Sequence, residues 1–210
     1  MPPAHESSQQ SAGASTTASI AAVAENVATL TSAFRLPEAL HSIDEALQAH
    51  AGHPDLLHAR ALVLACWRRY AEARPVYGQA LTSGPPPWKR LHDAAWCEYL
   101  DKDFAAARLT HERAVAAASD EAATHFGLGV TLIALGEFSE ALVELRGTLE
   151  REPAYPGAWL NIAACYHLQG NNKDAEAPAR SAVAVDAADA QACTLLGTVL
   201  GLLHRHEESI

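Results

Sequence analysis

The sequence predicts an all-α fold in which antiparallel helix pairs stack on one another as an α-solenoid. Four short segments, RRYAEA, KDFAAA, GEFSEA and GNNKDA, end at Ala73, Ala107, Ala141 and Ala175, so their final alanines are 34 residues apart. A repeat of this length is typical of stacked helix–turn–helix units. Within the copies, apolar residues recur three or four positions apart, which marks one face of a helix.

This register divides most of the chain into copies. They span 20–53, 54–87, 88–121, 122–155 and 156–189, and a partial copy covers 190–210. One helix pair cannot bury its apolar face, whereas a stack of pairs can, so we predict one elongated domain over 20–210. Residues 1–19 are small and polar and lack the basic start and apolar stretch of a secretory signal. They are predicted to form a disordered tail.

Glycine and proline mark where the helices begin and end. Gly84 followed by Pro85 predicts the end of a helix, and Pro37 sits at a plausible first helical position. Pro75 and Pro178 fall a turn inside the second helices of their copies, where proline removes a backbone hydrogen bond. We therefore expect those two helices to kink or to start late.

The copies resemble the tetratricopeptide repeat. Counted from the start of each copy, that family places a small residue at position 8, a large apolar one at 11, glycine at 15, an aromatic at 17, alanine at 20 and 27, and proline at 32. The residues that match at these positions are Tyr70, Ala73, Ala80 and Pro85 in the second copy, Gly129, Leu132, Gly136, Phe138, Ala141 and Pro153 in the fourth, and Ala163, Tyr166, Gly170, Ala175 and Ala182 in the fifth. The first copy departs most, with Phe34 at the glycine position and Leu36 at the aromatic one. The resemblance implies a right-handed superhelix of about five and a half repeats.

Composition limits the classes of partner. The formal net charge of −10 disfavours nucleic acid, because phosphate binding needs clustered lysine and arginine. No apolar run approaches the roughly eighteen residues of a membrane helix, so membrane insertion is not expected. The four cysteines, Cys66, Cys97, Cys165 and Cys193, lie in predicted first helices without Cys-x-x-Cys spacing. We expect them to be buried free thiols in a reducing, cytoplasmic compartment.

The sequence offers no recognisable catalytic or metal-binding pattern. It has no glycine-rich phosphate loop, no nucleophile elbow and no His-Glu-x-x-His motif. The histidine pairs His50–His53 and His204–His206 lack further ligands at zinc-site spacing. We therefore expect a protein that is not an enzyme and that needs neither a metal nor a cofactor.

The resemblance also implies that first helices line a concave groove, with positions 2, 5, 9 and 12 directed at a ligand. The predicted groove residues, to which Asn161 at position 6 is added, are His58, Leu62, Lys89, His92, Trp96, Tyr99, Phe126, Val130, Ile133, Leu160, Asn161, Ala164 and His167. Trp96 and Tyr99 share a helix face and could form an aromatic anchor. The alternative is that these aromatic rings fill the space between first helices.

The last predicted helix, 190–203, is apolar nearly all round. Left uncovered, it would expose an adhesive patch. We therefore expect either a downstream domain or self-association, such as a homodimer. The self-association would use Leu195, Leu196, Val199, Leu200 and Leu203.

These observations favour a scaffold or adaptor that binds an apolar or amphipathic peptide segment of a protein partner. Two alternatives stay open. One is a secretion-type chaperone for an apolar partner, because bacterial type III translocator chaperones are short, acidic members of the family. The other is the recognition arm of a larger enzyme, such as a glycosyltransferase or a hydroxylase.

Overall fold

The computed structural model describes residues 20–82 and 87–203. Over these residues it contains eleven helices and no strand, which confirms the predicted all-α class. The predicted tail at 1–19, the Gly84–Pro85 helix end and the pair His204–His206 lie outside the described residues.

The chain divides into two compact units, Met1–Asp101 and Lys102–Ile210. The division falls inside the third predicted copy, between its two helices. The single domain over 20–210 stays a prediction.

The first unit contains five helices. They are α1 at 20–32, α2 at Leu36–Ala49, α3 at Pro54–Cys66, α4 at Tyr70–Ala80 and α5 at Trp88–Leu100. Helices that follow one another in the chain pack together, as α2 does on α3, α3 on α4 and α4 on α5. Ile43 and Val63 belong to one buried apolar cluster, and Leu64, Tyr77 and Cys97 belong to a second.

The second unit contains six helices within its described part. They are α6 at Phe104–Ala117, α7 at Ala122–Leu135, α8 at Phe138–Arg151, α9 at Ala158–Leu168, α10 at Asn172–Val185 and α11 at Ala190–Leu202. Leu132, Leu145, Ile162 and Cys165 form its buried apolar cluster. In both units the odd-numbered helices from α3 onward are the first helices of their copies.

The alanines that revealed the repeat are core residues in both units. Ala73, Ala107, Ala141 and Ala175 each expose 0% of their surface. Gly129 plays a similar part at position 8, because a Cβ added there would lie 2.8 Å from Leu145 Cγ. Small residues at these positions therefore allow paired helices to approach closely, as the periodicity predicted.

Position 15 of every full copy has a left-handed backbone. The φ values there are 56° at Phe34, 61° at Arg68, 66° at Lys102, 79° at Gly136 and 77° at Gly170. At Gly136 the motif is a Schellman turn, because Gly136 N–H donates to Ile133 O and the following N–H donates to Leu132 O. A side chain at such a position costs about 1–2 kcal/mol, so three of the five turns carry backbone strain.

The expectation that proline would delay two helices is wrong. Helices α4 and α10 begin at Tyr70 and Asn172, in register with the start of α8 at Phe138, and they continue through Pro75 and Pro178. The carbonyls that lose a donor belong to Ala71 and Asp174, which are both exposed. Water can bond to those carbonyls, so the missing N–H does not stop the helix. Whether the helices kink stays a prediction.

The cysteine prediction holds for two of the four thiols. Cys97 and Cys165 are buried, and burial raises the pKa of each thiol to about 11. Cys66 and Cys193 are exposed, which corrects the expectation that all four are buried. Cys66 is the last residue of α3, where the helix leaves the core.

Candidate functional site

A row of aromatic side chains runs along one face of α5 in the first unit. Trp88, His92 and Trp96 follow one another at four-residue intervals, and Tyr99 follows three residues later. The successive ring centroids are 5.9, 6.0 and 5.2 Å apart, and the rings meet edge to face. All four side chains are half-buried. This set, here called the α5 aromatic row, therefore offers ring surface to a partner while its geometry is fixed by its own contacts.

His92 links the row chemically as well as sterically. The Trp96 indole N–H donates a hydrogen bond to His92 Nε2 at 2.9 Å, so that nitrogen carries no proton. Burial lowers the pKa of His92, and the neighbouring carboxylate of Asp93 opposes this shift only in part. His92 is therefore neutral near pH 7, and the row presents an uncharged aromatic surface.

Two polar residues of the predicted groove in this unit are engaged within the chain. His58 Nε2 lies 2.9 Å from Asp93 Oδ2, which ties α3 to α5. Lys89 is exposed, and its Nζ lies 5.6 Å from the centroid of the Trp88 ring. Leu62 is half-buried and packs against the apolar cluster of α3, α4 and α5.

Sequence reasoning missed Trp88 as a member of this surface. It occupies position 1 of its copy, which is not among the positions that the family directs at a ligand. The spacing did contain the signal, because residues four apart on a helix share a face and Trp88 precedes His92 by four.

The predicted groove residues of the second unit lie on α7 and α9. All are half-buried: Phe126, Val130 and Ile133 on α7, and Leu160, Asn161, Ala164 and His167 on α9. Phe126 and Ile133 also pack against the apolar cluster of this unit, so part of their surface serves the core.

Two polar side chains among these residues bond within the chain. Asn161 Nδ2 donates to Gly157 O at 2.8 Å, and His167 Nδ1 lies 2.7 Å from Asn172 Oδ1. The Asn161 amide is thus partly occupied by its own helix. It is therefore less available to a ligand than its place among the predicted groove residues implied.

Part of the apolar surface of α11, the last described helix, is covered by neighbouring helices. Val199 and Leu200 are almost wholly buried, at 0% and 2% exposure, because α11 packs on α10 and α9. Leu195, Leu196 and Leu203 are half-buried, and Leu195 lines a cavity of about 400 Å³ beside His167. Self-association through α11 stays a prediction. The apolar surface that α11 exposes for such contact is smaller than the sequence suggested.

Two further structural findings concern the described part of the chain. It contains no group of three or more histidine, cysteine or acidic side chains placed to hold a metal ion. None of its helices combines the length and the apolarity needed to cross a membrane.

Comparison with known proteins agrees with this geometry. Residues 132–198 match the family model of the tetratricopeptide repeat. Residues 132–198, which run from α7 to α11, are thus similar to tetratricopeptide repeats. No curated protein matches it in sequence.

Several solved structures share the tetratricopeptide repeat fold of the chain at low sequence identity. YrrB, described as a tetratricopeptide repeat protein with an unusual peptide-binding site, is 20% identical with a TM-score of 0.70, and the match covers 82% of this chain and 89% of YrrB. The type IV pilus biogenesis factor PilW is 18% identical with a TM-score of 0.80, covering 90% of each chain. Pseudomonas aeruginosa pilF is 14% identical with a TM-score of 0.81, covering 93% of this chain and 89% of pilF. At these identities the likeness concerns the fold.

Proposed function

We propose that this protein is a non-catalytic scaffold or adaptor that binds an apolar or amphipathic peptide segment of a protein partner. The observation that carries the proposal is the α5 aromatic row. Half-buried aromatic side chains with fixed geometry contribute large contact area at a small entropic cost, and such residues dominate the energetics of protein interfaces.

The chemistry of the surrounding residues supports recognition by apolar contact. His92 accepts the Trp96 N–H and is neutral, and His58 is paired with Asp93. The polar atoms near the row are therefore used to hold helices and rings in place. What the surface offers a ligand is mainly ring faces and edges, which suit the apolar residues of an amphipathic helix or an extended peptide.

Charge and fold likeness support a protein partner. A net charge of −10 repels phosphate backbones and favours partners with neutral or basic segments. YrrB, which shares the fold, is described as having a peptide-binding site. We therefore expect the same kind of ligand at the row on α5.

The proposal can be tested by selecting a library of random twelve-residue peptides against the purified chain. We expect the recovered peptides to carry apolar residues three or four positions apart. Their affinity, measured by fluorescence anisotropy, should fall at least about tenfold when Trp96→Ala and Tyr99→Ala are combined, because two aromatic anchors are lost. Circular dichroism should show unchanged helical content in that variant.

A matched control separates this surface from general stickiness. Leu109 and Val143 are large apolar residues on second helices, and they are 63% and 64% exposed. Leu109→Ala with Val143→Ala removes exposed apolar surface away from the row, so peptide affinity should be unchanged. Loss of affinity in this control, or retention in the Trp96/Tyr99 variant, would contradict the proposal. Loss of helical content in the Trp96/Tyr99 variant would assign those rings to the core.

A further inference from the structure

The second unit contains a cavity of about 300 Å³. Of the predicted groove residues, Leu160 alone lines it. It lies where the segment between α8 and α9 faces the end of α10 and the turn before α11. The residues that decide its chemistry are Tyr155, Trp159, Leu160, Val185, Asp186 and Asp189. Its volume is at the lower limit of small-molecule pockets, which suits a single side chain better than a larger ligand.

Two carboxylates at this cavity are held in fixed orientations by the backbone. Asp186 Oδ1 accepts the Ala188 N–H at 2.9 Å. Asp189 Oδ1 accepts the N–H groups of Gln191 and Ala192 at 2.8 and 3.3 Å, so this residue is also the N-cap of α11. Each carboxylate keeps a second oxygen, and neither forms an ion pair with a lysine, arginine or histidine of the described residues. Among the described residues, therefore, no cationic side chain pairs with either carboxylate.

Apolar and aromatic groups form the rest of the lining. The Tyr155 ring is packed on Phe126, with centroids 4.9 Å apart, and Trp159 Nε1 donates to Pro153 O at 3.2 Å. Burial, followed by the charge of Glu152, raises the pKa of Tyr155, so the phenol is neutral. Neutral aromatic rings attract cations through their electron-rich faces.

We propose that this cavity binds the side chain of a lysine or arginine from a protein partner. These side chains combine an apolar stem with a cationic head, which matches a lining of Leu160, Val185 and aromatic rings beside two carboxylates. The claim that the cation belongs to a protein partner rests on the proposed function. The preference of the cavity for a cation rests on its own residues.

The first test uses Nα-acetyl-argininamide as the probe and the uncharged isostere Nα-acetyl-citrullinamide as its control. Titration is followed by the indole N–H signals of the four tryptophans in a ¹⁵N NMR spectrum. We expect the Trp159 signal to shift saturably with the arginine probe and about five- to tenfold less at equal concentration with citrulline, because the charge–carboxylate attraction is absent. The signals of Trp67, Trp88 and Trp96 should not shift in parallel, since they lie in the other unit.

The second test removes the charge while keeping the shape. Asp186→Asn with Asp189→Asn retains a good N-cap residue for α11 and should weaken the arginine probe about five- to tenfold. The matched control, Asp120→Asn with Glu121→Gln, removes two exposed carboxylates from the same unit and should leave the affinity unchanged. Equal shifts with citrulline, or unchanged affinity in the Asp186/Asp189 variant, would overturn the proposal. Because the probe is a free amide, this result is independent of whether the α5 aromatic row binds a peptide.

Discussion

Gly127 on α7 gives the sharpest test of how the helices of the second unit are packed. The side chain of His111 on α6 is wholly buried, and its Nδ1 lies 3.1 Å from the hydroxyl of Thr131. A Cβ added at Gly127 would lie 2.4 Å from His111 Nε2 and 2.7 Å from Cδ2. Both distances are shorter than any normal carbon contact, so Gly127→Ala forces the imidazole or the helices to move.

The expected magnitude follows from two opposing effects. Overpacking a tight interior costs about 1–3 kcal/mol, and the upper part of this range applies because a ring held by Thr131 cannot swing into solvent. Replacing a helical glycine by alanine gains about 1 kcal/mol in helix propensity. The net prediction for Gly127→Ala is a loss of about 1–2 kcal/mol in the free energy of unfolding.

Gly78 in α4 provides the matched control. A Cβ built there meets nothing within 4 Å, so Gly78→Ala should show the propensity gain alone, about 1 kcal/mol of added stability. Both variants are compared by urea denaturation followed by circular dichroism. The same substitution should therefore change stability in opposite directions at the two sites.

A double-variant cycle identifies the cause of the Gly127 effect. In a His111→Ala background the obstructing ring is absent, so Gly127→Ala should no longer destabilise the protein. A stabilising Gly127→Ala in the wild-type background would refute the packing described for α6 and α7. An equally destabilising one in the His111→Ala background would refute the assignment of the cost to the imidazole.

Three further predictions concern single sites. Phe34→Gly should stabilise the protein by about 1 kcal/mol in urea denaturation, because glycine adopts a left-handed backbone without strain. Gly136→Ala should destabilise it by a similar amount for the same reason. The reverse order of stabilities would refute the strain argument. Burial lowers the pKa of His92 in the folded state, so the His92 imidazole binds a proton more readily in the unfolded state. The folded state is therefore fully stable above about pH 6.5 and loses stability as the pH falls toward the lowered folded pKa. His92→Phe should therefore flatten the dependence of unfolding free energy on pH between about 7.5 and 5, and an unchanged slope would contradict it. Ellman's reagent should label Cys66 in the native protein and Cys97 only after unfolding, since Cys97 is buried and its thiol pKa is raised to about 11; rapid native labelling of Cys97 would be inconsistent with that burial.

Periodicity made the helix pairs and their close contacts predictable. Ala73 and Ala141 recur in register because the chain needs a small residue wherever two helices cross closely, and a fixed spacing in sequence reports a fixed place in the fold. The spacing of Trp96 and Tyr99 on one helix face was predictable for the same reason, since it depends only on helix geometry.

Features that depend on several segments at once could not be read from the sequence. The cavity beside Asp186 and Asp189 combines residues of α9 and α10 with the two segments that precede α9 and α11, and no spacing rule links them. The left-handed backbone at Arg68 was not predictable, because arginine rarely adopts a positive φ. The continuation of α4 past Pro75 depends on solvent access to a carbonyl, which also requires the folded structure.

The central claim is that the α5 aromatic row contacts a peptide ligand, and site-specific photocrosslinking tests it most directly. Tyr99 is replaced by p-benzoylphenylalanine in one variant and the exposed Leu109 in another, and each is irradiated with the selected peptide. A crosslink at position 99 that excess unlabelled peptide suppresses, with none at position 109, is the predicted result. A crosslink at position 109 alone, or none at position 99 with peptide bound, would contradict the account.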